Sequence, residues 1–503
     1  MRSKKAFLGL MTNIIREGVS ILCGFILPYL IISSFGTDVY GLTESVKGFL
    51  GFIVLLEAGF GPVVKVALYK ALAKKSSVDI RRILKASEKF FRRVAIIFLI
   101  YVIVLALVYP LILDTHLDYV FTVVLILVMS ISIFAEYYFG MTYRLLLQSD
   151  QRMYVSNIIQ IITLLMGLGF AVLAINLGAS IVIVEAIIAL MYMLRPILQK
   201  IYVKRRYNID LSNIDSNYKI NQKWDALTHH IAFMIHSRAD VVILTILGSL
   251  KDVAIYSVYA LVLNGIKSFV SIVAESFSAA FGDMIAKSEE SILRKKFGAY
   301  ETIYMTISTI VYSCTMLLIT PFVIVYTLDV GDADYAQALF GILLTVSMYL
   351  LTVRQPYNEL VKAAGHFKQT RRGAVVEAIV NVVVSVILVW QFGLIGVAIG
   401  TLVAMLIRSL EFIYHTNKYI LKRNVMESVK KIIFVIVETL LVVLLSHFIP
   451  MPEMSSYFNW ILYAIEIFIV ALVVVVPINY SLHKDDFRDL MRTIKKMMGR
   501  KKE

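Results

Sequence analysis

The chain has 503 residues, is 59% hydrophobic and 17% charged, and carries a formal net charge of +15. That composition excludes an ordinary soluble enzyme, because runs of about 20 apolar residues, enough to cross a ~30 Å hydrocarbon core, follow one another end to end. The cations lie between those runs, where they orient the chain and meet anionic lipid heads, so the basic balance argues against nucleic acid as a partner.

In chain order the apolar runs predict spans near 7–34, 41–68, 92–113, 119–145, 154–176, 179–203, 226–248, 254–283, 299–328, 335–355, 373–392, 394–417, 430–450 and 459–481. The expected fold class is an all-α polytopic membrane protein with 14 transmembrane helices. Arg2, Lys4 and Lys5 precede the first run as in a secretory leader. The run continues to Ser34 with no small-residue cleavage site, so it reads as a retained span. Cys23 and Cys314 both fall inside spans, which leaves no disulfide framework and no cysteine metal site.

Even-numbered connections are basic: Lys70, Lys74, Lys75, Arg81, Arg82 and Arg92 in one, Lys204, Arg205 and Arg206 in another, Lys368, Arg371 and Arg372 in a third. Odd-numbered connections are short and nearly free of cations, Lys251 excepted. Both termini are therefore expected on the cytoplasmic side. Within 79–94, Ile80, Ile83, Leu84, Ser87, Phe90, Phe91 and Val94 recur at helical spacing among cations, as do Phe487, Leu490, Met491, Ile494 and Met498 in the tail. Both segments are expected as helices lying in the inner headgroup layer, apolar face down.

The polar stretch from Lys204 to Trp224 falls halfway along the chain and reads as a linker between two similar halves. A shift of 215 pairs Gly178 with Gly393, each at a turn between spans, and brings Gln148-Ser149-Asp150 opposite Ala363-Ala364-Gly365. Six spans repeated in one orientation predict two pseudo-symmetric lobes, 1–203 and 226–423, joined by a cytoplasmic linker 204–225. Residues 424–503, two further spans and a basic tail, lie outside the repeat.

Charge inside a span needs a partner or water, since a lone charged side chain at mid-helix costs ~2.5–3.5 kcal/mol on insertion scales. It is densest in spans 1, 2, 7 and 8, which are equivalent pairs under the repeat. Span 1 holds Arg16 and Glu17, and span 2 holds Glu44, Lys47, Glu57 and Lys65. Span 7 holds His229, His230, His236, Arg238 and Asp240, and span 8 holds Lys267 and Glu275. Lys267 would lie ~20 Å below the outer surface, too deep to snorkel. Cations facing a shared cavity suit an anionic substrate. The plainer alternative is local pairing, such as Glu44 with Lys47 or Arg408 with Glu411. His229, His236 and Asp240 share a helical face and read as a protonation-sensitive cluster rather than a metal site, since no diagnostic ligand motif is present. No phosphate loop, nucleophile elbow or acidic metal cluster occurs, so neither catalysis nor a cofactor is expected.

Several landmarks resemble one family in their order: Phe35-Gly36 then Tyr40-Gly41, Glu57-Ala58-Gly59-Phe60-Gly61 then Lys65, and Asp240 leading to Tyr256-Ser257. Ala363-Ala364-Gly365-His366-Phe367-Lys368-Gln369-Thr370 follows, with Glu377, Asn381, Ser385, the Gly393–Thr401 segment and Arg408. Over essentially its whole length the chain resembles the polysaccharide and oligosaccharidyl-lipid (Wzx-like) flippases of the multidrug/oligosaccharidyl-lipid/polysaccharide exporter superfamily. The resemblance implies a non-enzymatic flippase in the bacterial cytoplasmic membrane. It would move an undecaprenyl-pyrophosphate-linked sugar unit outward by alternating access, for capsule or O-antigen assembly. Its partners would be that lipid-linked glycan, membrane lipids and the polysaccharide polymerase machinery, with spans 13 and 14 accommodating the lipid tail. Arg16, Lys47, Arg238 and Lys267 are then the expected substrate-binding cations. Glu17, Glu57, Asp240, Glu275, His229 and His236 are the expected coupling or gating groups. The Arg16-Glu17 pair loosely matches flippases of the peptidoglycan precursor, but their fuller glycine-rich first-span pattern is missing. A cation-coupled drug antiporter predicts an acid-dominated cavity, which the lysines oppose.

Overall fold

The computed structural model describes residues 2–57, 59–113, 117–208 and 225–487, with the side chains of all these except 2–4, 6, 225–233, 236 and 272–279. The linker at 209–224 and the tail positions Leu490, Met491, Ile494 and Met498 lie outside the described residues. All regular structure among the described residues is helical. In hydrocarbon every backbone N–H and C=O must be satisfied within its own segment, which a helix alone achieves for a single crossing.

Helix α1 (Arg2–Phe35) is followed by a second span in three pieces, α2 (Thr37–Leu50), α3 (Ile53–Glu57) and α4 (Phe60–Ala73). Gly59 caps α4 at φ 73, a left-handed conformation that a Cβ disfavours. Next come α5 (Ser77–Ile112), α6 (Tyr119–Ala135), a π-helical turn at Glu136–Gly140, α7 (Met141–Ser149), α8 (Met153–Asn176), α9 (Ile181–Tyr207) and α10 (Asp225–Leu247). The remainder is α11 (Leu250–Ala286), α12 (Glu290–Tyr326), α13 (Ala338–Val353), α14 (Gln355–Ala363), α15 (Phe367–Phe392), α16 (Leu394–His415), a second π-helical turn at Thr416–Ile420, α17 (Val425–Ser446) and α18 (Tyr457–Leu482).

Among the described residues twelve helical segments are long and apolar enough to cross a membrane. The expected seventh and thirteenth spans exist as helices α10 and α17 but are not among the twelve. The α10 segment carries Asp225, Arg238 and Asp240, and α17 carries Glu427, Lys430, Lys431 and Glu438. The chain divides into two compact units, Met1–Ala254 and Ile255–Glu503.

In the first unit the core gathers one face each of α2, α4, α5, α6 and α7, including Leu42, Val46, Phe60, Leu84, Phe91, Phe98 and Leu146. Phe60 stacks on Phe90 at 3.7 Å. The opposite face of α5 exposes Ile96, Ile97, Ile100, Ile103, Val104 and Leu107. A patch of that size is a liability in water and the normal surface against lipid.

This helix corrects one expectation. Residues 79–94 are not a separate helix in the headgroup layer but the first half of the continuous 36-residue α5. Its apolar face (Ile80, Ile83, Leu84, Phe91, Val94) is buried in protein. The helical spacing holds, but amphipathicity does not distinguish a lipid-facing stripe from a core-facing one.

The N-terminal end of α1 is clasped to the α7–α8 turn. Asp150 pairs with Lys5 at 3.4 Å and accepts hydrogen bonds from Arg152 Nε and the Tyr207 hydroxyl, both at 2.6 Å. Burial pushes its carboxyl up, but Tyr207, Arg152 and Lys5 outweigh burial and hold it below the usual carboxylate range. A depressed carboxyl stabilises fully above its unfolded value of about 3.9 and loses that contribution as pH falls through the folded value. Thermal melts between pH 7 and pH 3 should therefore show an acid-side loss that Asp150→Asn abolishes, with the variant already less stable at pH 7.

In the second unit α15 and α16 form a tight hairpin at Gly393 (φ 53). A Cβ on Gly400 would come within 2.1 Å of Ser385 Oγ, so the helices meet backbone to backbone. Helices α17 and α18 pack on α12 through Val442, Tyr463, Ile467 and Ala471 against Ile310, Cys314 and Leu318. Below that contact is a sealed ion cluster. Fully buried Glu301 accepts from Arg423 Nη2 at 2.7 and 2.9 Å, from Tyr357 at 2.6 Å and from Ser428 at 2.7 Å, with Lys431 Nζ at 3.0 Å. Asp486 closes it, accepting from Thr302 at 2.6 Å and facing Lys431 at 3.8 Å.

Candidate transport site

Each unit holds charge within its spans, and the two solve the problem differently. In the first unit Arg16 donates to Glu17 at 2.6 Å and to Asn13 at 3.1 Å, a local pair on a half-exposed stretch of α1. Lys47 lies 2.8 Å from Glu44, one turn earlier on α2, with its side chain 41% exposed. Both pairings follow the plainer alternative, yet neither seals its cation away.

Glu57 accepts from Tyr137 at 3.2 Å, on the π-helical turn of the fourth span. Asp240 is buried. Arg238 is half-buried on α10 and, among the described residues, makes neither a hydrogen bond nor an ion pair. Its Nε stands 3.0 Å from where a Cβ on Gly51 would sit. The side chains of His229, His236 and Glu275 lie outside the described residues. No group of three metal-ligating side chains occurs among those described.

One residue was missed by the sequence reading. Arg195 on α9 lies over the Tyr192 ring at 3.6 Å and donates to Thr163 at 2.7 Å, while its Nη2 is buried without a hydrogen-bond partner. An arginine inside a predicted apolar span was the available signal.

A seam joins α2 to α10. The Tyr109 hydroxyl donates to Ser45 Oγ at 2.7 Å, Ser45 Oγ and Thr245 Oγ1 share a 2.6 Å hydrogen bond, and Thr245 donates to the Val241 carbonyl at 2.7 Å. Small residues allow this approach. A Cβ on Gly41 would fall 1.9 Å from the Leu250 carbonyl oxygen, and one on Gly48 2.8 Å from Val241 Cγ1. Gly41, Ser45 and Gly48 recur every three to four residues, a small-residue face of the kind that packs helices in membranes. The seam thus runs from the Gly41–Leu250 end towards Gly51 and Arg238.

In the second unit Lys267 is half-buried on α11 with Arg354 in electrostatic reach, and among the described residues it makes no hydrogen bond or ion pair. Arg354 and Arg408 share Glu377, at 2.7 and 3.3 Å, and Arg408 also pairs with Glu411. Lys267 therefore faces a second cation whose charge is already matched.

No protein-family model and no curated protein matches the chain. Solved structures do. A lipid II flippase MurJ in an inward closed conformation aligns with a TM-score of 0.62 at 15% identity, over 96% of this chain and 100% of that one. An inward-facing multidrug resistance MATE transporter of the MOP superfamily aligns at 0.58 and 13% identity, over 82% and 98%. The eukaryotic MATE transporter AtDTX14 aligns at 0.53 and 13% identity, over 86% and 99%. The fold is that of these transporters. At such identities the likeness carries the fold alone, and neither a role nor a substrate.

Proposed function

We propose that the protein is a flippase that carries an undecaprenyl-pyrophosphate-linked oligosaccharide from the inner to the outer leaflet of a bacterial cytoplasmic membrane. The observation that carries this reading is that certain cations inside the spans stand open or without an acidic partner. Arg238 and Lys267 stand without acidic partners among the described residues, and Lys47 is paired but open. Such groups lower the energy of a pyrophosphate on a low-dielectric path without selecting a sugar. In this reading Arg16, Lys47, Arg238 and Lys267 hold the headgroup while the polyprenyl tail stays in lipid.

The reading takes α10 and α17 as spans seven and thirteen, with both termini cytoplasmic. Lobes 1–203 and 226–423 alternate access about the linker 204–225, and the 424–503 addition receives the tail. The α2–α10 seam then serves as the closed outer gate. A negative interior favours outward movement of an anion by ~2.3 kcal/mol per charge per 100 mV, so membrane potential biases export without an obligatory ion. Glu17, Glu57, Asp240, Glu275, His229 and His236 remain the proposed gating groups, and the polymerase machinery the consumer of the product.

A lipid II flippase is the second reading, favoured by the fold likeness to MurJ and by the contacting Arg16–Glu17 pair. Depletion of the protein separates the readings. Complete single repeat units should accumulate on the inner leaflet, whereas accumulation of peptidoglycan precursor would move the assignment to lipid II. Lys47→Ala and Lys267→Ala at normal expression should each reduce export several-fold; unchanged export in both sinks the cationic path.

A further inference from the structure

Arg195 is the intramembrane cation that this transport scheme leaves unused. It lies on α9 nine residues before Lys204, about 13 Å deeper in the membrane than the inner basic cluster. Among the described residues it forms no ion pair. Its Nε donates to Thr163 on α8 and its Nη2 is sealed without a partner, which leaves Nη1 with no hydrogen bond among those residues.

The helix registers set Arg195 level with Arg16. Lys5 with Asp150 and Thr12 with Asn157 both stand 145 positions apart, so α1 and α8 run parallel in one register. Extended by one turn, that register puts Arg16 level with Ile161. The bonds from Arg195 to Thr163 and from Gln199 to Ser156 run α9 antiparallel to α8 and put Arg195 level with Thr163. The two arginines thus stand at depths that differ by about 3 Å. On α8, Ser156 and Thr163 face α9, and Asn157 faces α1. At about 100° per residue, Gln160 falls between those faces, about 40° from Ser156 and about 60° from Asn157. Helices α1 and α9 both pack along α8 but scarcely on each other, so Gln160 stands on the floor of a groove between them. Its half-buried side chain makes no hydrogen bond among the described residues. Arg16 shares the face of Thr12 four residues earlier, and its Nη2 alone serves Glu17 and Asn13, so Nε and Nη1 keep their donors. Tyr192 covers the outer end of the groove, where a Cβ on Gly167 would come 3.3 Å from its ring.

We propose that this groove is a phosphate subsite in which Arg195 and Arg16 hold the pyrophosphate from opposite walls and Gln160 donates to it from the floor. A guanidinium without a counterion in hydrocarbon is costly, and an anion that accepts charge-assisted hydrogen bonds from two of them offsets that cost. Thr163 and the Tyr192 ring already fix the Arg195 fork, so little freedom is lost on binding. The subsite rests on the flippase reading and adds Arg195 and Gln160 to its binding groups.

The test is binding of undecaprenyl pyrophosphate to the purified full chain in detergent, with undecaprenol as the phosphate-free control. Arg195→Gln should lower pyrophosphate affinity tenfold or more and Gln160→Leu several-fold, with undecaprenol binding unchanged in both. Gln160→Leu breaks no hydrogen bond of the structure, so it carries the test alone should Arg195→Gln fail to fold. Wild-type pyrophosphate affinity in the variants overturns the subsite and leaves the flippase reading intact. So does an equal loss of undecaprenol, which marks a packing role, or a loss of bound phosphatidylglycerol alone, which marks a resident phospholipid. Absence of pyrophosphate binding to the wild type overturns both.

Discussion

On the flippase reading, replacing Ser45 and Thr245 with cysteine, in a chain whose Cys23 and Cys314 have been changed to alanine, should give a protein that exports only while reduced. The two hydroxyl oxygens lie 2.6 Å apart and project from facing helices, so the paired thiols need little movement to form a disulfide. If α2 and α10 must part to open the outer end, the oxidised protein loses export by tenfold or more and a reductant restores it. Either single cysteine should leave export near normal, because serine and threonine are replaced by a side chain of similar size. Normal export by fully oxidised double variant would mean that this seam stays closed throughout the cycle. Gly41→Val tests the same contact from the other direction. Its side chain has no room beside the Leu250 carbonyl, so the adjoining ends of α2 and α11 must separate.

Glu301→Ala should be the most destabilising single substitution in the second unit. It leaves the buried Arg423 and the nearly buried Lys431 without the carboxylate that neutralises both. Breaking a buried pair from one side costs about 3–5 kcal/mol, because a charge stays in low dielectric without its counterion. Thermal unfolding in detergent measures this directly. Replacing Glu301, Arg423 and Lys431 together with apolar residues of similar volume should recover much of the loss, since an apolar core is often as stable as the ion cluster it replaces. If Glu301→Ala melts like the wild type, the cluster is not a structural support.

Much of the architecture was legible because hydrocarbon leaves a chain few options. Each of the fourteen predicted runs corresponds to one helix or to consecutive helical pieces, since length and apolarity decide a crossing. Whether α10 and α17 cross was less legible, because their charges lower the apolarity that identifies a span. The breaks within spans were also hidden. Nothing in Glu136–Gly140 marks a π-helical turn, which lies where Gly140 closely meets Pro196 on α9.

Among the proposed site residues the sequence identified which charges are intramembrane but not their partners. Glu44–Lys47 and Arg408–Glu411 were readable because they are three residues apart on one helix. Glu377 between Arg354 and Arg408, or Glu301 among Arg423, Lys431 and Tyr357, joins residues separated by up to 130 positions, which no periodicity encodes.

The uninterrupted α5 sets a limit on movement. Between Arg93 and the end of the helix the chain runs without charge from Val94 to Leu113, about 30 Å of helix against a hydrocarbon layer of about the same thickness. There is no slack to lean with. A tilt during transport would draw Arg92 and Arg93 into the oil or thin the surrounding bilayer, and either raises the energy of the tilted state. Turnover should consequently follow lipid chain length, rising in thinner vesicles and slowing in thicker ones, which makes the lipid bilayer a participant in setting the rate.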